Sequence, residues 1–211
     1  MTLESSLPYL SVAAAIAAAA ATGKVARGFR AGALAALGVF AYLRGITPAA
    51  VALALILGAA GQAMAPESRA RWTSAGAGLL AAGWLAFAYL FLKTGGGLTI
   101  LIQQPWRIGA LVLLAVLIWL GWRAVWPRVS GARGGAGAEM AAVLVMTAAA
   151  FTLHPASWAW IAMAGAVLAA LAETALLGLD FAGWRGGNWS RRAAWVGSYA
   201  GQAAMAYAFL K

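Results

Sequence analysis

The sequence predicts an all-α protein, a single polytopic bundle of about eight transmembrane helices spanning residues 1–211. Three observations predict it. Of the 211 residues, 64% are hydrophobic and 9% charged, and the mean hydropathy is +0.84. That is too little polar surface to cover a soluble core of this size. The apolar stretches are long, continuous and rich in Ala, Leu and Gly, where barrel strands would alternate in polarity, so the backbone satisfies itself as helices. Finally, the basic residues gather between the apolar stretches with a bias that alternates along the chain.

Cutting the chain at charge clusters, prolines and glycine runs gives spans near 7–22, 28–43, 47–65, 72–92, 107–126, 138–153, 157–179 and 193–210. The first is apolar, no basic residue precedes it and Lys24 follows, so it reads as a retained span, not a cleaved signal. The second runs from the basic group Lys24, Arg27 and Arg30 to Arg44, and the third ends just past Gly61-Gln62. The fourth follows Arg69 and Arg71 and stops at Lys93. Thr94–Arg107 (TGGGLTILIQQPWR) carries a glycine run, an apolar patch and a break at Pro105, and is expected to form a short interfacial or re-entrant piece. The fifth span ends near Trp126, and Ser130–Ala138 (SGARGGAGA) reads as a flexible linker. His154-Pro155 marks the turn between the sixth and seventh spans, and a basic loop separates the seventh from the eighth. Several spans are shorter than the roughly 20 residues that cross a bilayer, so Arg30, Arg44 and Arg123 are expected to snorkel to the interface.

Numbering the loops alternately puts Lys24, Arg27, Arg30, Arg69, Arg71, Arg123, Arg128, Arg133, Arg185, Arg191 and Arg192 on one side, and Arg44, Lys93, Arg107 and Lys211 on the other. This bias of 11 to 4 implies an even span count with both termini extracytoplasmic. Trp84, Trp106, Trp126, Trp158 and Trp189 fall near span ends, as interfacial anchors do. With the basic residues placed so, the net charge of +10 reads as membrane orientation, not nucleic-acid binding. The absence of cysteine excludes disulfides, thiolate metal sites and cysteine nucleophiles, and a single histidine argues against a histidine-rich metal centre. No metal or cofactor is expected.

Ionisable groups inside a membrane are functional candidates because burying them is costly. Of the five acidic residues, Glu4 is terminal and Glu67 and Glu139 flank spans. Glu173 lies well inside the seventh span, with Asp180 two turns further at its end. Burial favours the neutral carboxyl, which suits general-acid chemistry; equally, such a glutamate can hold two helices together. Asp180 is expected to pair with Arg185, Arg191 or Arg192. Gln62 follows Gly58 and Gly61, while Ser198, Tyr199 and Gln202 lie in the last span, and these could line a polar cavity with Glu173 or act as interhelical hydrogen bonds. Gly76 and Gly83 mark a close-packing stripe, and His154 reads as an exposed turn residue.

The stretch Ala172-Glu173-Thr174-Ala175-Leu176-Leu177, followed by Asp180-Phe181, a basic loop and Tyr199-Ala200-Gly201-Gln202, resembles the end of the YhhN family of lysoplasmalogenases. Gly61-Gln62 before a basic loop and Gly23-Lys24 before the second span resemble further family positions, and the span number and order agree along nearly the whole chain. The resemblance implies a hydrolase of lipid metabolism in a bacterial cytoplasmic membrane. It would cleave the vinyl-ether bond of a lysophospholipid substrate, releasing a fatty aldehyde and a glycerophospho-alcohol. Glu173 and Gln62 would be catalytic, Glu173 as proton donor or as the carboxylate that stabilises the oxocarbenium ion; Tyr199, Gln202, Ser198 and Asp180 would bind substrate. Gln62 stands where the family has an aspartate, and Gly83 falls where it has a histidine. These departures carry a second expectation, a catalytically silent lipid-binding relative or an accessory subunit against other membrane proteins. A transporter ranks behind both, since no internal repeat is found.

Overall fold

The computed structural model describes residues 3–21, 23–44, 49–64, 74–129, 133–181 and 187–209. Arg69, Arg71, Glu67, Arg185 and Lys211 lie outside the described residues. In chain order the helices are α1 (Leu3–Ala20), α2 (Gly23–Leu43), α3 (Ala49–Met64), α4 (Ser74–Thr94), α5 (Leu98–Gln103), α6 (Pro105–Val125, ending in a 3₁₀ turn at Trp126–Arg128), α7 (Arg133–Ala150), α8 (Ser157–Phe181) and α9 (Asn188–Ala208). Among the described residues the non-helical pairing is a single bridge between Gly95 and Leu153. Residues 75–94, 105–128 and 158–181 are long and apolar enough to cross a membrane; 6–20, 49–64 and 134–150 are shorter apolar helices.

Local chemistry explains the one short element. Gly97 adopts φ 62, a left-handed conformation that disfavours any side chain, and starts α5. Gln104 then leaves the helical region at φ −129, and Pro105 takes the first position of α6, where its missing N–H costs nothing. The expected short piece between the fourth and fifth spans is therefore a helix of 6 residues, with Leu98 and Ile102 pointing outward.

Glycine contacts fix how the long helices pass one another. Gly61 meets Leu80 and Gly83 meets Ala54, so α3 and α4 are antiparallel. Gly135 meets Ala77 near the starts of α7 and α4, while Gly95 bridges Leu153 near their ends, so these two run parallel in constant register. The helix between them in sequence, α6, is displaced outward: 22% of its apolar window is buried, against 67% for α8. It runs parallel to α8, with Trp106 stacked on Trp160 at one end and Gly121 level with Ala175 at the other. The last helix reaches four helices besides α8. Tyr199 reaches α1, Trp195 lies under Arg30 of α2, Gln202 touches Gly58 of α3, and Phe209 stacks on Phe91 of α4.

Polarity is inverted relative to a water-soluble bundle. Gln62, Glu139, Glu173, Ser198 and Gln202 are buried, whereas Val112, Leu113, Trp119 and Leu120 on α6 are exposed. At one end of the bundle lie Lys24, Arg27, Arg30, Arg123, Arg128, Arg191 and Arg192; Arg44, Lys93 and Arg107 lie at the other. Arg44 and Arg123 are exposed over Phe40 and Trp119, as snorkelling side chains would be.

Three expectations need correction. Trp84 is not an interfacial anchor but a core residue, 3% exposed in the middle of α4. The linker at Ser130–Ala138 is helical from Arg133 onward, because Gly135 lets α7 close against Ala77 and packing overrides the weak helix propensity of its glycines. Glu139 does not flank a span: it is fully buried within α7.

Candidate functional site

Small residues bring α8 and α9 together. A Cβ on Gly201 would lie 2.6 Å from the Gly165 carbonyl and 2.8 Å from the Ala169 nitrogen, and one on Gly197 would meet Ala172 at 3.3 Å. Close backbones allow short side chains to bridge them, as in membrane helix pairs generally. The Ser198 hydroxyl accordingly donates to Glu173 Oε1 at 2.5 Å, with Glu173 only 1% exposed. One turn along α9, Gln202 Nε2 donates to Ser198 Oγ at 3.4 Å. The carbonyl end of Gln202 points to α3, where a Cβ on Gly58 would stand 3.2 Å from its Oε1. Gln62 is buried one turn beyond Gly58 on the same helix. The structure thus joins Glu173, Ser198 and Gln202 in one buried hydrogen-bonded chain and lays that chain against the helix that bears Gln62.

Tyr199 belongs to a different group. Its hydroxyl lies 2.6 Å from Ser11 Oγ, and Ser11 gives its own proton to the Ala33 carbonyl at 2.7 Å, so the tyrosine is the donor. Its ring stacks on Trp195, which lies under Arg30 at 5.4 Å. The side chain therefore ties α9 to α1 and α2, and the expected meeting with Glu173 is not made by hydrogen bonding. Asp180 pairs with Arg191, one of the three expected arginines, across the α8–α9 connection at 2.8 Å, while Arg185 lies outside the described residues. His154 is exposed in the α7–α8 turn beside Gly96.

Grooves of about 310, 440 and 410 Å³ lie where α6 meets α7 and α8. Glu173, Gln62 and Gln202 line none of these three, although Thr174, next to Glu173, lines one. Among the described residues no three His, Asp or Glu side chains converge on a point.

Sequence reasoning missed two buried charges. Glu139 was hidden by its place at a span boundary; its spacing of four from Gly135, which faces α4, was the available signal. Arg107 counted only as a loop cation, yet it is 0% exposed. Its Nε donates to Gln104 Oε1, and its Nη1 to the Phe151 and Leu153 carbonyls, each at 2.7 Å. No protein family, no curated protein and no solved structure matches the chain.

Proposed function

We propose that this chain is a multi-pass protein of eight spans with both termini extracytoplasmic, and that it acts on lysolipids in the manner of the YhhN lysoplasmalogenases. The observation that carries the reading is the buried Glu173, held by Ser198 and through it by Gln202. Eight helices of 16 residues or more and the uneven charge at the two ends support the topology. A bacterial cytoplasmic membrane follows from the family resemblance.

The chemistry asks for a proton donor in a dry site. A vinyl ether hydrolyses by slow proton transfer to carbon, water captures the oxocarbenium ion, and the resulting hemiacetal collapses to aldehyde and alcohol. In this reading Glu173 gives the proton or, ionised, stabilises the cation; Ser198 and Gln202 fix the carboxyl, and Gln62 orients the water. Glu173 is eight residues from the end of α8, roughly 12 Å of helix, within reach of a lysolipid whose head group stays at the interface. Purified protein in detergent is expected to release aldehyde from lysoplasmalogen, and Glu173→Gln to abolish release while leaving the fold intact. No release from either protein overturns the hydrolase reading.

A second reading draws on the grooves: apolar troughs beside α6 fit an acyl chain or a partner helix, so the chain also fits a catalytically silent lipid-binding protein or an accessory subunit. Its mark would be a stoichiometric membrane-protein partner or lipid on purification without detectable turnover.

A further inference from the structure

Arg107 stands apart from the Glu173 chain, and its chemistry is incomplete. A guanidinium has five N–H donors and no means of shedding its charge in a protein. Three of those donors meet neutral oxygens, from Gln104, Phe151 and Leu153. Nη2 is buried without a hydrogen-bond partner among the described residues. The carbonyls at the end of α7 offer it only the partial negative charge of a helix C-terminus, about half an elementary charge. A wholly buried cation compensated so weakly is costly unless an anion completes its shell.

The surroundings say which anion. Trp106, whose ring lies 5.6 Å from the guanidinium carbon, and Phe151, whose carbonyl binds Nη1, both line the groove of about 410 Å³ between α6 and α8. Its walls are almost wholly apolar, and Trp106 and Trp160 stack at 5.1 Å beside its mouth. Leu171 lines both this groove and the one of about 440 Å³, which lies further along the same two helices as far as Gly121 and Ala175. From Trp160 to Ala175 the trough follows α8 for roughly 22 Å at 1.5 Å per residue, the reach of a long acyl chain. A trough of that length, with a pair of tryptophans and a buried arginine whose Nη2 lacks a hydrogen-bond partner at one end, and with Thr174 the one polar side chain in the walls beyond, matches one ligand class.

We propose that the α6–α8 trough is a binding site for an anionic diacyl phospholipid, with one acyl chain laid along the trough and the phosphate completing the shell of Arg107 after Trp106 swings aside. The site is independent of the lysolipid reading. Trp106 is 46% exposed and is held on its inner side by Trp160 and Arg107, contacts that the incoming phosphate would replace, and the loose burial of α6 is what an intercalated chain would exploit.

The test uses the full chain, delipidated in detergent, with native mass spectrometry as the readout. Phosphatidylglycerol is expected to be retained at one per chain, at least tenfold more tightly than diacylglycerol with the same acyl chains. Inorganic phosphate at millimolar concentration is not expected to displace it. Arg107→Gln should reduce the preference for phosphatidylglycerol to that for diacylglycerol. Ala164→Phe, which fills the trough without touching Arg107, should weaken both lipids tenfold or more and serves as the test if Arg107→Gln fails to fold. Equal retention of phosphatidylglycerol and diacylglycerol would overturn the proposal. So would displacement by free phosphate, or unchanged binding in Ala164→Phe.

Discussion

Two buried ionisable side chains, Glu173 toward one end of the bundle and Arg107 at the other, are held in different ways. Glu173 accepts from the Ser198 hydroxyl within a pair of helices packed at glycine–carbonyl distance. Arg107 has three bonds, one to the neighbouring Gln104 side chain and two reaching across the chain to carbonyls that follow α7. The difference follows from acid–base chemistry. A carboxyl can meet burial by keeping a proton and then needs only ordinary hydrogen bonds; a guanidinium stays charged and must gather many oxygens. The arginine arrangement makes a structural knot, which also contains the Gly96 N–H to Thr152 carbonyl bond at 2.9 Å.

The largest expected effect breaks the knot. Arg107→Leu strands two buried carbonyls and the Gln104 side chain, and should cost about 3 kcal/mol or more. Thermal unfolding of the purified protein in detergent checks it; a melting temperature equal to wild type would mean those carbonyls are satisfied elsewhere. Next comes the packing that creates the Glu173 pair. Gly201→Val drives a side chain into the Gly165 carbonyl and should cost about 1–3 kcal/mol. Gly28→Ala is the matched control: nothing lies within 4 Å of its new methyl group, so the change should stabilise α2 by up to about 1 kcal/mol.

The carboxyl itself should be more forgiving than the arginine. Ser198→Ala removes the hydrogen bond to Glu173 and should cost about 1–3 kcal/mol. Glu173→Gln still accepts from Ser198 through its amide oxygen and should cost under about 1 kcal/mol. A loss as large as that of Arg107→Leu would show that the Glu173 carboxyl makes contacts an amide cannot keep, and would erase the contrast between the two ends.

What was legible in the sequence depended on whether one helix or several decided it. The seventh span, read as 157–179, is α8 at Ser157–Phe181, and the fifth, read as 107–126, is α6 at Pro105–Val125, because charges and prolines mark those ends locally. The second and sixth spans begin five residues earlier than read, at Gly23 and Arg133, where basic and glycine-rich turns stay helical against their neighbours. Ser198 and Gln202 could be grouped with Glu173 because their spacing of four puts them on one helix face. Tyr199 is one position off that face, and only the placement of α1 shows that its partner is Ser11. Arg107 was least legible of all: its partners are backbone carbonyls 44 and 46 residues away, and carbonyls leave no mark in a sequence.

The smallest expected effect lies at the Asp180–Arg191 pair, on the helices that carry Glu173 but at their more open end. The carboxylate is largely covered, its side chain 5% exposed, while Arg191 is 39% exposed and water competes for it. An ion pair half open to solvent contributes about 0–1 kcal/mol, so Asp180→Asn should lower stability by no more than that, and by less at high salt. Unfolding of wild type and variant at about 0.05 M and about 1 M salt, on either side of the ~10 Å screening length at 0.1 M, reads the difference directly. A cost as large as that of Ser198→Ala, insensitive to salt, would place Asp180 in the buried chain with Glu173 and make the α8–α9 connection part of the site.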